Sequence, residues 1–208
     1  MKKITPFISQ HEALTVLDNG GRFYNLITKA NDGEINSAEL SKVAGVISDK
    51  QQMSLFLELS LSKLSSNSKR DIYNSLSDEL KKAQTEYAAQ YLLPSEAKEK
   101  GILSQNAIIS GIPKYVESNS NFSGFVMIPI MTGNVMTFTM IPIIDRYDVY
   151  EVRDRISSEA FLIAHTKSDD KLPERMITFG GILKELKNKK DESAPSSIFL
   201  EAYYYLQS

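Results

Sequence analysis

The sequence predicts an α+β protein: an N-terminal helical bundle followed by an antiparallel β domain, the latter closing into a small barrel. Three observations lead there. Apolar residues recur at helical spacing as far as about residue 100 and at strand spacing from residue 122 onward. Helix-start signals fall in the first half. Turn residues bounding β-branched and aromatic runs fall in the second. At 208 residues, 42% hydrophobic and 24% charged, the chain has the make-up of one large or two small globular domains. We divide it into a helical domain (1–104), a linker (105–121) and an antiparallel β domain (122–208).

The helices follow from their starts and their stripes. Ser9-Gln10-His11-Glu12 and Ser48-Asp49-Lys50-Gln51 have the capping-box pattern, in which side chains satisfy the free amides of a first turn. Asn36-Ser37-Ala38-Glu39 is an Asn version, and Ser68-Lys69-Arg70-Asp71 a further start. Leu40, Val43, Ala44 and Ile47 form one apolar stripe. Met53, Phe56, Leu57, Leu61 and Leu64 form another. Ile72, Leu76, Leu80, Ala83, Tyr87 and Tyr91 predict one long helix ending at Leu92-Leu93, ahead of Pro94. Asp18-Asn19-Gly20-Gly21 ends the first helix, because paired glycines are costly inside one. The expectation is a bundle of about five helices.

The strands follow from composition. Phe125-Val126-Met127-Ile128-Pro129-Ile130 and Phe138-Thr139-Met140-Ile141-Pro142-Ile143 are near copies, 13 residues apart. Thr132-Gly133-Asn134 between them reads as a hairpin turn. Their prolines cannot donate to a ladder and are expected at edges, bulges or strand ends. Tyr147–Val152, Ala160–His165, Arg175–Leu186 and Ile198–Leu206 read as further strands. Gly180-Gly181 predicts a bulge or a sharp bend, and the polar stretch Lys187–Ser197, with Pro195, a loop. Short antiparallel strands protect their edges by closing, so a small OB-like barrel is expected, with a half-open covered sheet as the alternative.

Charge and composition narrow the function. Lys and Arg total 24 against 26 Asp and Glu, for a net charge of -2. Neither half is basic, which disfavours a dedicated duplex-DNA binder. The chain has no cysteine, so it contains no disulfide, thiolate zinc site or cysteine nucleophile. No apolar core follows Lys2-Lys3 as in a signal peptide, and the longest apolar runs are too short for a membrane helix. A cytoplasmic protein with no membrane partner is expected.

One segment has a chemical reading. Aligned on a calcium EF-hand loop, Asp32, Gly33, Ile35, Asn36 and Glu39 fall at a ligand, the sharp turn, the apolar position and two further ligands. Thr28 and Ala30 stand where two more anionic ligands belong. Asp32, Asn36 and Glu39 are therefore the candidate metal residues, and a helix–turn–helix joint capped by Asn36 and Glu39 is the competing reading. The same residues, Ala30-Asn31-Asp32-Gly33-Glu34-Ile35 with Glu39-Leu40, resemble the Ala-Asp-Gly-Glu-Ile…Glu turn of the tellurite-resistance TerB-like family, with Asn31 inserted. The resemblance covers residues 10–93. It implies an all-helical bacterial module linked to stress or phage response, in which Asp32, Glu34 and Glu39 form an acidic cluster able to meet a metal.

No other constellation reaches a reaction. His11 and His165 lack the spacing of a zinc site, and no nucleophile elbow or phosphate loop occurs. Asp145 with Glu151-Val152-Arg153 is faintly like a magnesium nuclease core, but Arg stands where that core needs Lys, and the stretch reads first as an edge strand whose alternating charges face water. Arg146, Arg153 and Arg155 with Tyr203-Tyr204-Tyr205, Tyr204 included, offer cations and aromatics for stacking single-stranded bases on an OB-like surface. The expectation is a non-enzymatic adaptor or assembly protein without a cofactor, binding another protein or itself. Single-stranded nucleic-acid binding is the alternative, and a metal-dependent hydrolase at Asp145–Asp154 stands third.

Overall fold

The computed structural model describes residues 1–19, 31–116, 124–132, 135–154, 159–168, 171–188 and 197–207. The chain divides into a helical unit, Lys2–Ala89, and a β unit made of Met1 and Gln90–Ser208. The linker expected over 105–121 does not separate the two units, because the β unit begins at Gln90 and residues 106–115 form one of its main strands.

The helical unit opens with a two-residue strand, β1 (Lys2–Lys3), and holds α1 (Gln10–Leu17), α2 (Ser37–Ala44), α3 (Lys50–Ser60), α4 (Ser66–Asn74) and α5 (Asp78–Glu86). Ser9 caps α1, its hydroxyl accepting from the Glu12 amide while Glu12 accepts from the Ile8 amide. α1 ends at Asp18, as its Asn-Gly-Gly sequence demands. α2 carries the full reciprocal capping box between Asn36 and Glu39. It stops at Gly45, whose φ of 72° supplies the left-handed turn. Ile47 therefore leaves the stripe and stands 92% exposed. The cap of α3 is Asp49 rather than Ser48, accepting from the Gln52 amide. That of α4 is Ser65 rather than Ser68. α3 is buried on most sides through Met53, Leu55, Phe56, Leu57 and Leu59, and α2 and α5 pack against it. A helix apolar nearly all round belongs at the centre of a bundle.

The long third helix does not form. Ile35 bridges Leu76: its amide donates to the Ser75 carbonyl at 2.7 Å, and its carbonyl accepts from Ser77 at 2.9 Å. The bridge takes backbone groups that a continuous helix would need, and the Ser77 hydroxyl restarts the chain as α5. Pro94 stops nothing; it is the first residue of α6 (Pro94–Lys100), where its missing amide costs no bond.

The β unit contains β2 (Gln90–Leu92), β3 (Asn106–Tyr115), β4 (Gly124–Thr132), β5 (Val135–Pro142), the single turn α7 (Ile143–Arg146), β6 (Tyr147–Arg153), β7 (Phe161–Thr166), β8 (Ile177–Asn188) and β9 (Ser197–Gln207). β3, β6, β7, β9 and β8 pair in that order, and β8 returns to β3. This is a closed five-stranded barrel consistent with an OB-like fold. It is not wholly antiparallel: β7 and β9 run parallel at Ile163↔Leu200 and Ala164↔Glu201, and that pairing closes the ring. The Gly180-Gly181 bend is the expected bulge, with the β8–β9 register shifting there. A Cβ on Gly181 would lie 2.3 Å from the Glu201 carbonyl oxygen. The interior is filled by Tyr150, Val152, Phe161, Ile163, Phe179 and Leu200 among others. The hairpin β4–β5 is inserted between β3 and β6 and joins the barrel where β4 meets β8 at Gly124↔Asn188 and Phe125↔Lys187. Pro142 is a strand end, as expected. The turn residues Gly133 and Asn134, and most of the 187–197 loop, lie outside the described residues.

Candidate functional site

An OB barrel holds ligands on the outer side of its second and third strands, here β6 and β7. Strand alternation turns Asp148, Tyr150 and Val152 inward and Tyr147 and Val149 outward. The outward side is covered. Val149 and Ala164 are buried with Val126 of β4, Ile143 of α7, Leu186 and Phe199. The insertion between β3 and β6 thus forms a second small core over the face an OB ligand would use.

What remains open beside it is a groove of about 460 Å³ lined by Val126, Met127, Arg146, Tyr147, Lys184 and Glu201, among others. Glu201 is its hub. Tyr147 and Tyr203 each donate a hydroxyl hydrogen bond to it at 2.8 Å, and Lys184 stands 4.0 Å away. Burial and the bond to Glu201 push the Tyr147 hydroxyl far above its ordinary value, so it stays a donor. The groove offers apolar walls, two cations and a carboxylate held by two tyrosines. That is recognition chemistry: hydrogen bonds and contact area.

The inserted hairpin carries the second surface. Its register pairs Met127 with Met140 and Met131 with Met136. Met127, Met136 and Met140 share one face of the ribbon, by the two-residue period of a strand. Met127, Met136 and Met140 are 38%, 58% and 41% exposed. Cross-strand methionines left open on a hairpin make an adaptable apolar face.

A buried polar cluster closes one end of the barrel. Asp148 and His165 are cross-strand partners, both nearly fully buried. Asp148 accepts from Lys171 Nζ at 2.5 Å and from the Ser168 amide at 3.0 Å. Lys171 also sits 4.3 Å over the Tyr115 ring. Burial alone would raise the Asp148 pKa, but Lys171 and the Ser168 amide outweigh it and hold the carboxyl below the usual range. His165 stacks on Tyr150, and its Nδ1 lies 2.7 Å from the Thr166 carbonyl oxygen, while its buried Nε2 has no partner among the described residues. Burial lowers its pKa, and the ring is neutral near pH 7. The Leu172 amide donates to the Tyr150 hydroxyl. Ser168, Lys171 and Leu172 are thereby pinned across the barrel end.

The residues singled out in the sequence fall in several places. Asn36 and Glu39 cap α2: Asn36 Oδ1 accepts from the Ala38 and Glu39 amides, and Glu39 Oε2 from the Asn36 amide. Asp32 accepts from the Glu34 amide, and Asp18 from Gly33. Glu39 is fully buried, and its Oε1 has no partner among the described residues; burial, then its acidic neighbours Asp18, Asp32 and Glu34, raise its pKa despite the Asn36 amide. Among the described residues no three His, Asp or Glu side chains are grouped to hold a metal ion. Thr28 and Ala30 lie outside them.

Of the nucleic-acid candidates, Arg146 is exposed and lines the groove. Arg153 is exposed and bonded to Glu151 at 3.2 Å. Arg155 lies outside the described residues. Tyr204 is 2% exposed, so its ring is closed to base stacking. The proposed edge strand of alternating charges is also corrected. β6 lies between β3 and β7, and its Asp148 points into the barrel. Sequence reasoning missed Asp148, Lys171 and Glu201; the only signal was a carboxylate within an apolar strand pattern. Comparison with known proteins finds no family model and no curated protein that matches this chain.

Proposed function

We propose that this chain is a non-enzymatic macromolecule-binding protein, an adaptor or assembly component, whose β4–β5 arm docks a protein partner. One observation carries the reading: Met127, Met136 and Met140 stand exposed on one face of an inserted hairpin. Flexible, polarisable side chains gathered on an open surface suit binding to apolar protein surfaces. Capture from host lysate after nuclease treatment tests it. The wild-type chain retains a specific protein, and Met127→Glu/Met140→Glu loses it while keeping its thermal melt. Equal capture by both ends the proposal.

The alternative is single-stranded nucleic acid in the groove beside the arm. It is favoured by the barrel's strand order and by Arg146, Lys184 and Tyr147 meeting at one groove. Binding of an oligothymidine would then weaken with salt, and Arg146→Ala would reduce the salt slope by about one. A flat salt response removes it. A TerB-like reading of the helical unit would place the adaptor in a bacterial, cytoplasmic stress or phage response; partner identity tests that placement.

A further inference from the structure

We propose that the free edge of β5 pairs with β5 of a second copy of this chain around a twofold axis, joining two methionine faces into one surface. The proposal rests on the arm being the binding element and names what occupies its edge.

Among the described residues β5 has one neighbour, β4. Thr132 pairs with Val135 across two intervening residues. In a two-residue hairpin that closing pair exchanges backbone hydrogen bonds, and such pairs alternate along the ladder. The pairs 130↔137, 128↔139 and 126↔141 are therefore bonded, and the backbone groups of Met136, Phe138 and Met140 point away from β4. By the same alternation Pro129 falls on the outer edge of β4, the one place a proline costs the ladder nothing. It also blocks that edge. The edge of β5 has no proline from Val135 to Ile141.

The edge also lacks charge. No residue from 118 to 144 is charged, in a chain that is 24% charged. Exposed edges are ordinarily guarded by lysines or other charges, and this one is not. A twofold sets a strand against itself, so any charge would meet its like within a residue or two; this strand is electrostatically compatible with its own copy. Centred on Phe138, the outward groups match: Phe138 bonds to Phe138 of the copy and Met136 to its Met140. Between them Thr137 lies opposite the copy's Thr139, and Val135 opposite its Ile141. The register is isologous and satisfies every outward group of the edge.

Light scattering with size-exclusion chromatography of the full chain at micromolar concentration gives the first reading. A mass twice 23.3 kDa is expected. Met136→Lys/Met140→Lys sets like charges opposite and falls to the monomer mass. Met136→Lys/Met140→Glu sets opposite charges in the same register and returns to the dimer. Since the chain has no cysteine, Phe138→Cys provides a second measurement that needs no charge in the arm. It should oxidise to a disulfide-linked dimer well before Met136→Cys, which would face the copy's Met140. A monomeric wild type, a lysine pair that stays dimeric, or equal oxidation of the two cysteine variants overturns the pairing. A monomer whose arm still captures a protein partner overturns the pairing alone; a monomer that captures none removes the binding reading as well.

Discussion

Asp148 and Glu39 are both buried carboxylates, yet their surroundings drive them in opposite directions. Asp148 has a cation and an amide; Glu39 has one amide and three acidic neighbours. Lys171 is half-exposed while Asp148 is buried, so losing the lysine leaves an uncompensated charge inside the barrel end. Lys171→Met is expected to cost ~1–3 kcal/mol in urea unfolding of the β unit, and Asp148→Asn less, since Asn still accepts from the Ser168 amide. Glu39 is the reverse case. A raised pKa in the folded state means that stability is full below the unfolded value of 4.5 and is lost as pH rises through the folded value. Glu39→Gln keeps an acceptor for the Asn36 amide and removes the charge. At pH 7 it should stabilise the helical unit by about 1 kcal/mol, read as a rise in Tm of roughly 4–8 °C. The gain should vanish below about pH 4.5, the ordinary range of a glutamate. A Tm unchanged by the substitution at pH 7 would show that Glu39 is already neutral there, or that its charge is matched by an ion.

At the scale of elements, the glycine pair in β8 was legible because a bulge leaves a compositional mark that no neighbouring strand can alter. Gly181→Ala places a methyl 2.3 Å from the Glu201 carbonyl oxygen. Backbone on the far side cannot give way without opening the β8–β9 ladder. The expected cost is ~1–3 kcal/mol in denaturant unfolding, with the larger loss in the β unit. A neutral result would mean that the barrel closes by another register. The strand runs from residue 122 onward were legible for a similar reason, since β-branched and aromatic residues mark them directly; β3 was not, and read as a linker. The helix boundary at Leu76 was not. Its apolar stripe continues unbroken, and the break is made by Ile35, some forty residues earlier, bridging the backbone at Leu76. A spacing argument sees one face at a time and cannot see a competitor for its carbonyls. The same limit hid the barrel-end cluster. Asp148 reads as a solvent-facing charge until β3 and β7 are known to flank β6 on both sides. Tyr204 failed in the opposite sense: aromatic character was visible, but which of three consecutive tyrosines would be buried depended on where the chain bulged.

The whole molecule brings these opposing ionisations onto one chain. Each unit has buried apolar residues of its own: Leu40, Phe56, Ile72 and Leu80 in one, Tyr150, Phe161, Phe179 and Leu200 in the other. In the β unit the folded pKa of His165 lies below its ordinary 6.5 because burial disfavours the imidazolium. A depressed folded pKa gives stability that is present above the unfolded value and lost as pH falls through the folded one. Acidification from pH 7 therefore weakens the barrel, first through His165 and, below the unfolded Asp value of 3.8, through Asp148. As pH falls toward the ordinary glutamate value of 4.5, the Glu39 contribution runs the other way and favours the helical unit. Calorimetric scans at successive pH values should then resolve two transitions that move in opposite directions. His165→Gln should flatten the pH response of the barrel transition alone, and Glu39→Gln that of the helical transition alone. A single transition, or two that shift together with pH, would mean that the units unfold as one body and that neither buried group governs its own unit's response to acid.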